Sequence, residues 1–163
     1  MNDCHQYLKI GIDFHGVINA NQHYFKIFCE LALKRGHEIH ILSGGPEEKI
    51  VTQLEKAQIK YSKVFTIFDF YNDKGMACLL PNGQFHIDEN LWNETKAEYC
   101  RQNGIDIQID DSLIYGKYFT TPYCLYDNEK KQCTITENNQ VIEFNDANPI
   151  LAIQQLEKYL INN

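Results

Sequence analysis

The sequence predicts an α/β fold with a mostly parallel central sheet covered by helices on both faces. Three observations lead there. Short apolar runs of strand length alternate repeatedly with segments whose apolar residues recur at helical spacing. Several of these runs end abruptly on a polar residue close to a glycine, as Ile12 passes through Asp13 to Gly16 and Leu42 through Ser43 to Gly44-Gly45. Finally, 163 residues, 44% of them hydrophobic, suffice for one domain with a sizeable core but not comfortably for two, so residues 1–163 are read as a single domain.

The first strand is the apolar run Leu8 to Ile12, which delivers Asp13 to the turn Phe14-His15-Gly16-Val17-Ile18-Asn19-Ala20. Tyr24, Phe25, Ile27, Phe28, Leu31 and Leu33 then mark a helix that closes at Arg35-Gly36. Ile39, Ile41 and Leu42 form the second strand, stopped by Ser43-Gly44-Gly45, and Pro46-Glu47-Glu48 has the composition of a first helical turn. Ile50, Val51 and Leu54 continue that helix. A third strand is expected over Val64 to Phe70, with a turn at Asn72-Asp73-Lys74-Gly75.

Met76 to Leu80, Pro81-Asn82-Gly83 and Gln84 to Ile87 read as a small inserted hairpin over 76–87. Asn93 is expected to cap a helix running through Lys96, Ala97, Tyr99 and Cys100 to Asn103-Gly104, with Trp92 just before it. The strand Ile105 to Ile109 ends on Asp110-Asp111-Ser112. A strand at Tyr123 to Tyr126, a hairpin from Gln132 to Phe144 turning at Asn138-Asn139, and a helix from Ala147 to Leu160 complete the chain.

This alternation gives the polar residues a common address. Asp13, Ser43 and Asp110 each end a predicted strand, so they share the carboxyl edge of the sheet, where open α/β sheets bind ligands. Lys96 reaches that edge from the first turn of a helix antiparallel to the strand that follows it. Singly, an Asp after a strand is a turn cap, a Ser a turn residue and a Lys a solvated charge; the shared edge is what distinguishes these four.

Composition excludes other functions. A formal charge of −7 with no Lys/Arg-rich patch argues against a nucleic-acid backbone or an anionic membrane surface as partner. The start, Met1 to Gln6, is polar, so no signal peptide is expected, and no apolar run approaches membrane-spanning length. Cysteines at 4, 29, 78, 100, 124 and 133 lack CxxC spacing and read as reduced, packed thiols of a cytoplasmic protein. His37 and His40 lack partners at metal-ligand spacing and read as packed or surface residues rather than zinc ligands. The aromatics from Tyr115 to Tyr126 read as core or pocket wall, and Trp92 as packing or site entrance.

One carboxylate able to act as nucleophile, one hydroxyl, one amine and an acidic pair on a single rim suit phosphoryl chemistry with a hard cation. Asp13, Asp110 and Asp111 offer the oxygen ligands that Mg²⁺ prefers. Ser43 and the N–H groups of the Gly44-containing loop can hold a phosphoryl oxygen, and Lys96 adds a point charge.

Residues Ile10 to Ile18 (IGIDFHGVI), Ile41 to Gly45 (ILSGG), Lys96 within TKAEYC, and Ile109 to Ser112 (IDDS) resemble, in order and spacing, the four motifs of the haloacid dehalogenase superfamily of phosphohydrolases. The resemblance spans about residues 8 to 126. It implies a Rossmann-like three-layer sandwich and an aspartyl-phosphate route. Asp13 would be the nucleophile, Ser43 and Lys96 would hold the phosphoryl group, and Asp110 with Asp111 would hold Mg²⁺ together with Asp13 and the His15 backbone carbonyl.

The first motif departs from the family's Asp-x-Asp, whose second Asp is the general acid and base, because this chain has Asp13-Phe14-His15. Imidazole also exchanges protons near neutrality, so His15 is the candidate acid and base, its pKa raised by neighbouring Asp13 and Asp110 and lowered by any bound Mg²⁺. The alternative is a histidine that only fills the turn, in a catalytically weak protein that binds a phosphorylated ligand or a protein partner. Carbon–halogen or carbon–phosphorus cleavage is a third reading. Members of the family usually carry a cap domain; here only the 76–87 hairpin is available, which implies an open site. Such a site suits a phosphorylated small molecule, a larger phosphorylated substrate, or an oligomer whose partner subunit completes the pocket.

Overall fold

A side-chain period of two decides which face of the sheet each strand residue serves, and with it the layout of the molecule. The computed structural model describes residues 6–82 and 84–161, so Cys4, the segment before Gln6 and the Gly83 turn position lie outside the described residues. In chain order the elements are β1 (Lys9–Asp13), α1 (Gln22–Lys34), β2 (Glu38–Ser43), α2 (Glu47–Lys56), β3 (Lys63–Thr66), α3 (Ile67–Asn72), β4 (Cys78–Leu79), β5 (Phe85–His86), α4 (Glu89–Asn103), β6 (Ile107–Asp110), α5 (Leu113–Gly116), β7 (Tyr123–Asp127), β8 (Gln132–Ile135), β9 (Val141–Glu143) and α6 (Ile150–Ile161). A wound turn over Phe14–Ile18 joins β1 to α1.

Among the described residues, seven strands form one sheet in the order β3-β2-β1-β6-β7-β8-β9. β3, β2, β1, β6 and β7 run parallel, and β8 and β9 add antiparallel edges. The protein is thus an α/β, Rossmann-like three-layer sandwich. On one face Ile10, Ile12, Ile39, Ile41, Ile107 and Ile109 join Phe25 and Phe28 of α1, Leu54 of α2 and Leu156 of α6 in the main core. Residues between those isoleucines face the other way. There Leu42 packs with Cys100 of α4 and with Ile105. The same alternation sends Asp13 and Asp110 toward α4, which decides where the site lies.

Four expectations need correction. Val64 to Phe70 is not one strand: β3 stops at Thr66 and Ile67–Asn72 is helical. A short apolar run satisfies either period, and Asp69 settles it by accepting the Glu47 N–H at 2.7 Å and the Thr66 hydroxyl, which caps α2 from outside that helix. Second, α4 is capped by Asp88, whose carboxylate accepts the N–H groups of Asn90 and Leu91, rather than by Asn93. Trp92 is therefore inside α4 and Lys96 lies well beyond its first turn. Third, α6 begins at Ile150 rather than Ala147. Fourth, Cys78 is exposed, while Cys29, Cys100, Cys124 and Cys133 are buried free thiols.

The 76–87 hairpin is present as β4 paired antiparallel with β5, separate from the main sheet. His37 and His40 are buried, but each has a carboxylate partner. His37 meets Glu157 at 2.7 Å and accepts the Leu8 N–H, and His40 lies 2.9 Å from Glu38 and from the Tyr99 hydroxyl. Among the described residues, no helix is long and apolar enough to cross a membrane.

Candidate functional site

Parallel register aligns the ends of the central strands. Ile10, Gly11 and Ile12 pair with Ile107, Gln108 and Ile109, so the next rung carries Asp13 and Asp110 side by side. Asp13 is likewise level with Leu42 of β2, one residue before Ser43. The chain then has to leave the sheet at once, and Gly16 lets it do so. Its φ is +79°, a conformation that favours glycine, and a Cβ there would stand 1.9 Å from Asp111 Oδ2, so a larger residue would also have to push that exposed carboxylate aside. Asn19 closes the turn, its side chain accepting the Gly16 N–H at 2.7 Å.

From the opposite side, Lys96 of α4 reaches in between the two strand ends. Its Nζ donates to Asp13 Oδ1 and to Asp110 Oδ2, both at 2.9 Å, with all three residues buried. Among the described residues, Asp13, Asp110 and exposed Asp111 offer carboxylate oxygens within 4.8 Å of one another. Ser43, fully buried, places its Oγ 3.3 Å from Nδ1 of exposed His15. Asp13, His15, Ser43, Lys96, Asp110 and Asp111 thus come together at one edge of the sheet.

Three carboxylates around one ammonium leave an excess of negative charge. Burial pushes the Asp13 carboxyl up to about 7, Asp110 and Asp111 adding to the rise and Lys96 opposing it. Burial and Asp110 raise Asp111 as well. For Lys96, burial works against the charge, but Asp13 and Asp110 outweigh it and hold the ammonium above its usual range. For His15, partial burial and then Lys96 lower the pKa, with Asp111 opposing, which favours the uncharged imidazole.

Gly44 sits in the β2–α2 loop, where its carbonyl accepts the Phe68 N–H at 2.9 Å and the Trp92 ring lies over it. Because the Glu47 N–H is already committed to Asp69, the first amide of α2 is not a free anion donor, and any phosphoryl contact falls to the loop before it. Trp92 donates from Nε1 to the Tyr115 hydroxyl at 2.9 Å, and the Tyr115 ring lies 5.1 Å from Lys96 Nζ. Trp92 and Tyr115 are therefore a wall beside the ammonium. Ala77 and Ile87, at the base of the hairpin, belong to the apolar cluster that contains Trp92, which ties the insertion to this wall.

The opposite side is open. A groove of about 470 Å³ runs from Gly16 and Asp111 past Leu113 to Asp127 and Lys130. A larger cavity of about 560 Å³ lies along the outer side of α4 near Phe65, Tyr71 and Tyr99, and none of the site's polar residues lines it. Sequence reasoning missed the role of Asp69 and the Trp92–Tyr115 pairing. An Asp inside an apolar run signalled the first, and nothing local signalled the second.

No family model matches the chain, and no curated protein does. Among solved structures, the crystal structure of a glycosyltransferase from Rickettsia africae ESF-5 is similar at a TM-score of 0.43, with 13% identity. The likeness covers 75% of this chain and 31% of that one, so this chain spans under a third of that protein's length.

Proposed function

We propose that the protein is a Mg²⁺-dependent phosphohydrolase acting through an aspartyl-phosphate on Asp13. The observation that carries this reading is the meeting of Asp13, Lys96 and Asp110 at 2.9 Å contacts beside Asp111. The four-motif resemblance to the haloacid dehalogenase superfamily supports the same assignment. So does the chemistry of the donor set: oxygen ligands with an uncompensated negative charge fit a hard divalent cation. Asp13, Asp110, Asp111 and the His15 carbonyl are the groups that would hold it. Bound there, Mg²⁺ would neutralise charge on the phosphoryl oxygens.

In this reading Lys96 grips Asp13 Oδ1 and leaves Oδ2 to attack phosphorus in line with the leaving oxygen. The bond from phosphorus to the leaving alkoxide breaks as the Asp13–phosphorus bond forms. Protonated His15 supplies the proton to that oxygen. In the second half, neutral His15 takes a proton from water as the water attacks phosphorus, releasing phosphate and restoring Asp13. Ser43 near Nδ1 steadies the ring, so Nε2 exchanges the proton. The depressed pKa of His15 favours the second half over the first near neutrality.

A catalytically weak protein that binds a phosphorylated ligand is the second reading, favoured by His15 standing exposed where the family has an Asp. The test is a panel of phosphate esters, with p-nitrophenyl phosphate as the minimal member, assayed with and without Mg²⁺. Mg²⁺-dependent release of phosphate supports the enzyme; saturable binding without release supports the second reading.

A further inference from the structure

Gln108 is fully buried in β6, a central strand where apolar residues are the rule. It fits there because its register partner on β1 is Gly11. A Cβ on Gly11 would stand 2.1 Å from Gln108 Oε1 and 3.3 Å from its Cδ, so the amide occupies the space that a side chain on β1 would fill.

A buried amide costs free energy unless its hydrogen bonds are made. Those of Gln108 lead to the site. Nε2 donates to Asp110 Oδ2 at 3.3 Å, the oxygen that also receives Lys96, and to the Ile109 carbonyl at 3.4 Å. Oε1 faces the Cys100 thiol at 3.8 Å. The orientation of the amide follows from its neighbours, because turned over it would oppose one oxygen to another at Asp110. The second Asp110 oxygen, Oδ1, accepts the Ser112 N–H at 3.1 Å.

We infer that Gln108, housed in the space left by Gly11, is a positioning residue that fixes the Asp110 carboxylate for a divalent cation. The inference rests on the cation reading of the carboxylate cluster and adds the layer beneath it. Partners that orient a ligating carboxylate typically govern metal affinity by about ten- to a hundredfold.

The test is Mg²⁺ binding by calorimetry, with the melting temperature of the metal-free protein measured alongside, for the parent, Gln108→Met, Gly11→Ala and the double variant. Gln108→Met keeps the length and removes the amide; Gly11→Ala displaces the amide without altering Asp110. Each single variant should bind Mg²⁺ about ten- to a hundredfold more weakly while staying folded. The double variant should be little worse than the weaker single one, since both act through one contact. A folded variant that binds as tightly as the parent overturns the role of Gln108 alone. If both single variants lose the fold, Gln108 is a structural residue and the inference fails. A parent that binds no Mg²⁺ overturns the cation reading, and this role with it.

Discussion

Lys96 and Asp13 are 83 residues apart in the chain, yet Nζ donates to Oδ1 at 2.9 Å in a buried pair. The same ammonium also holds Asp110. Removing one partner of such a network strands charge in a low dielectric, which typically costs about 3–5 kcal/mol. Lys96→Met should destabilise the metal-free protein by about that much, and added Mg²⁺ should recover part of the loss by taking over the carboxylates. Urea unfolding with and without Mg²⁺ measures both effects. A variant as stable as the parent would mean that the ammonium is not what balances the carboxylates.

The cap that Asp69 provides for α2 gives a second expectation. Asp69→Ala leaves the Glu47 N–H without its acceptor and should cost about 1 kcal/mol. Chemical denaturation would read this directly. No change would show that the contact contributes nothing to the end of α2.

His15 carries the proton chemistry in the proposed reaction, and general acid–base assistance is worth on the order of 10²–10⁴-fold. His15→Asn should therefore slow turnover at least about a hundredfold, and His15→Asp should recover part of that or exceed the parent. Steady-state rates on p-nitrophenyl phosphate decide it. An Asn variant as fast as the parent would reduce His15 to a filler of the Phe14–Ile18 turn.

Stability should depend on pH through His40. Burial lowers its folded pKa, with Glu38 opposing. The unfolded chain, titrating near ~6.5, then binds the proton more readily than the folded one. The stability present above that pH is lost as pH falls from there toward the folded value. His15 is shifted in the same sense, so the comparison that isolates His40 is parent against His40→Gln. The variant should lose less stability than the parent between pH 7.5 and 5.5, and equal losses would discard the assignment.

The strand ends were legible because an apolar run that stops on Asp13, Ser43 or Asp110 has little choice but to deliver that residue to the sheet's edge. Lys96 does reach this edge, but not by the expected route: α4 is capped at Asp88 rather than Asn93, so Lys96 extends to Asp13 and Asp110 from beyond its first turn. What the sequence hid depends on contacts between distant segments. Ile67 to Phe70 fits either period, and the contacts that go with the helix, Asp69 with Glu47 and Phe68 with Gly44, come from a distant segment. His37 finds Glu157 across 120 residues, which no local pattern announces. Gln108 and Gly11 each interrupt an apolar run in a visible way, but their complementarity exists only in the register of β1 with β6. The fall in the pKa of His15 likewise follows from its partial burial and the approach of Lys96 in the folded chain.

The most direct measurement of the account is mass spectrometry of acid-quenched protein after incubation with Mg²⁺ and acetyl phosphate, comparing the parent with Asp13→Asn. The amide of Asn cannot form the acyl phosphate, and it leaves the surrounding packing nearly unchanged. The account predicts a phosphoryl adduct on the parent peptide that contains Asp13, no adduct in the variant, and loss of turnover with the adduct. An adduct on another residue, or undiminished phosphate release by Asp13→Asn, would contradict it.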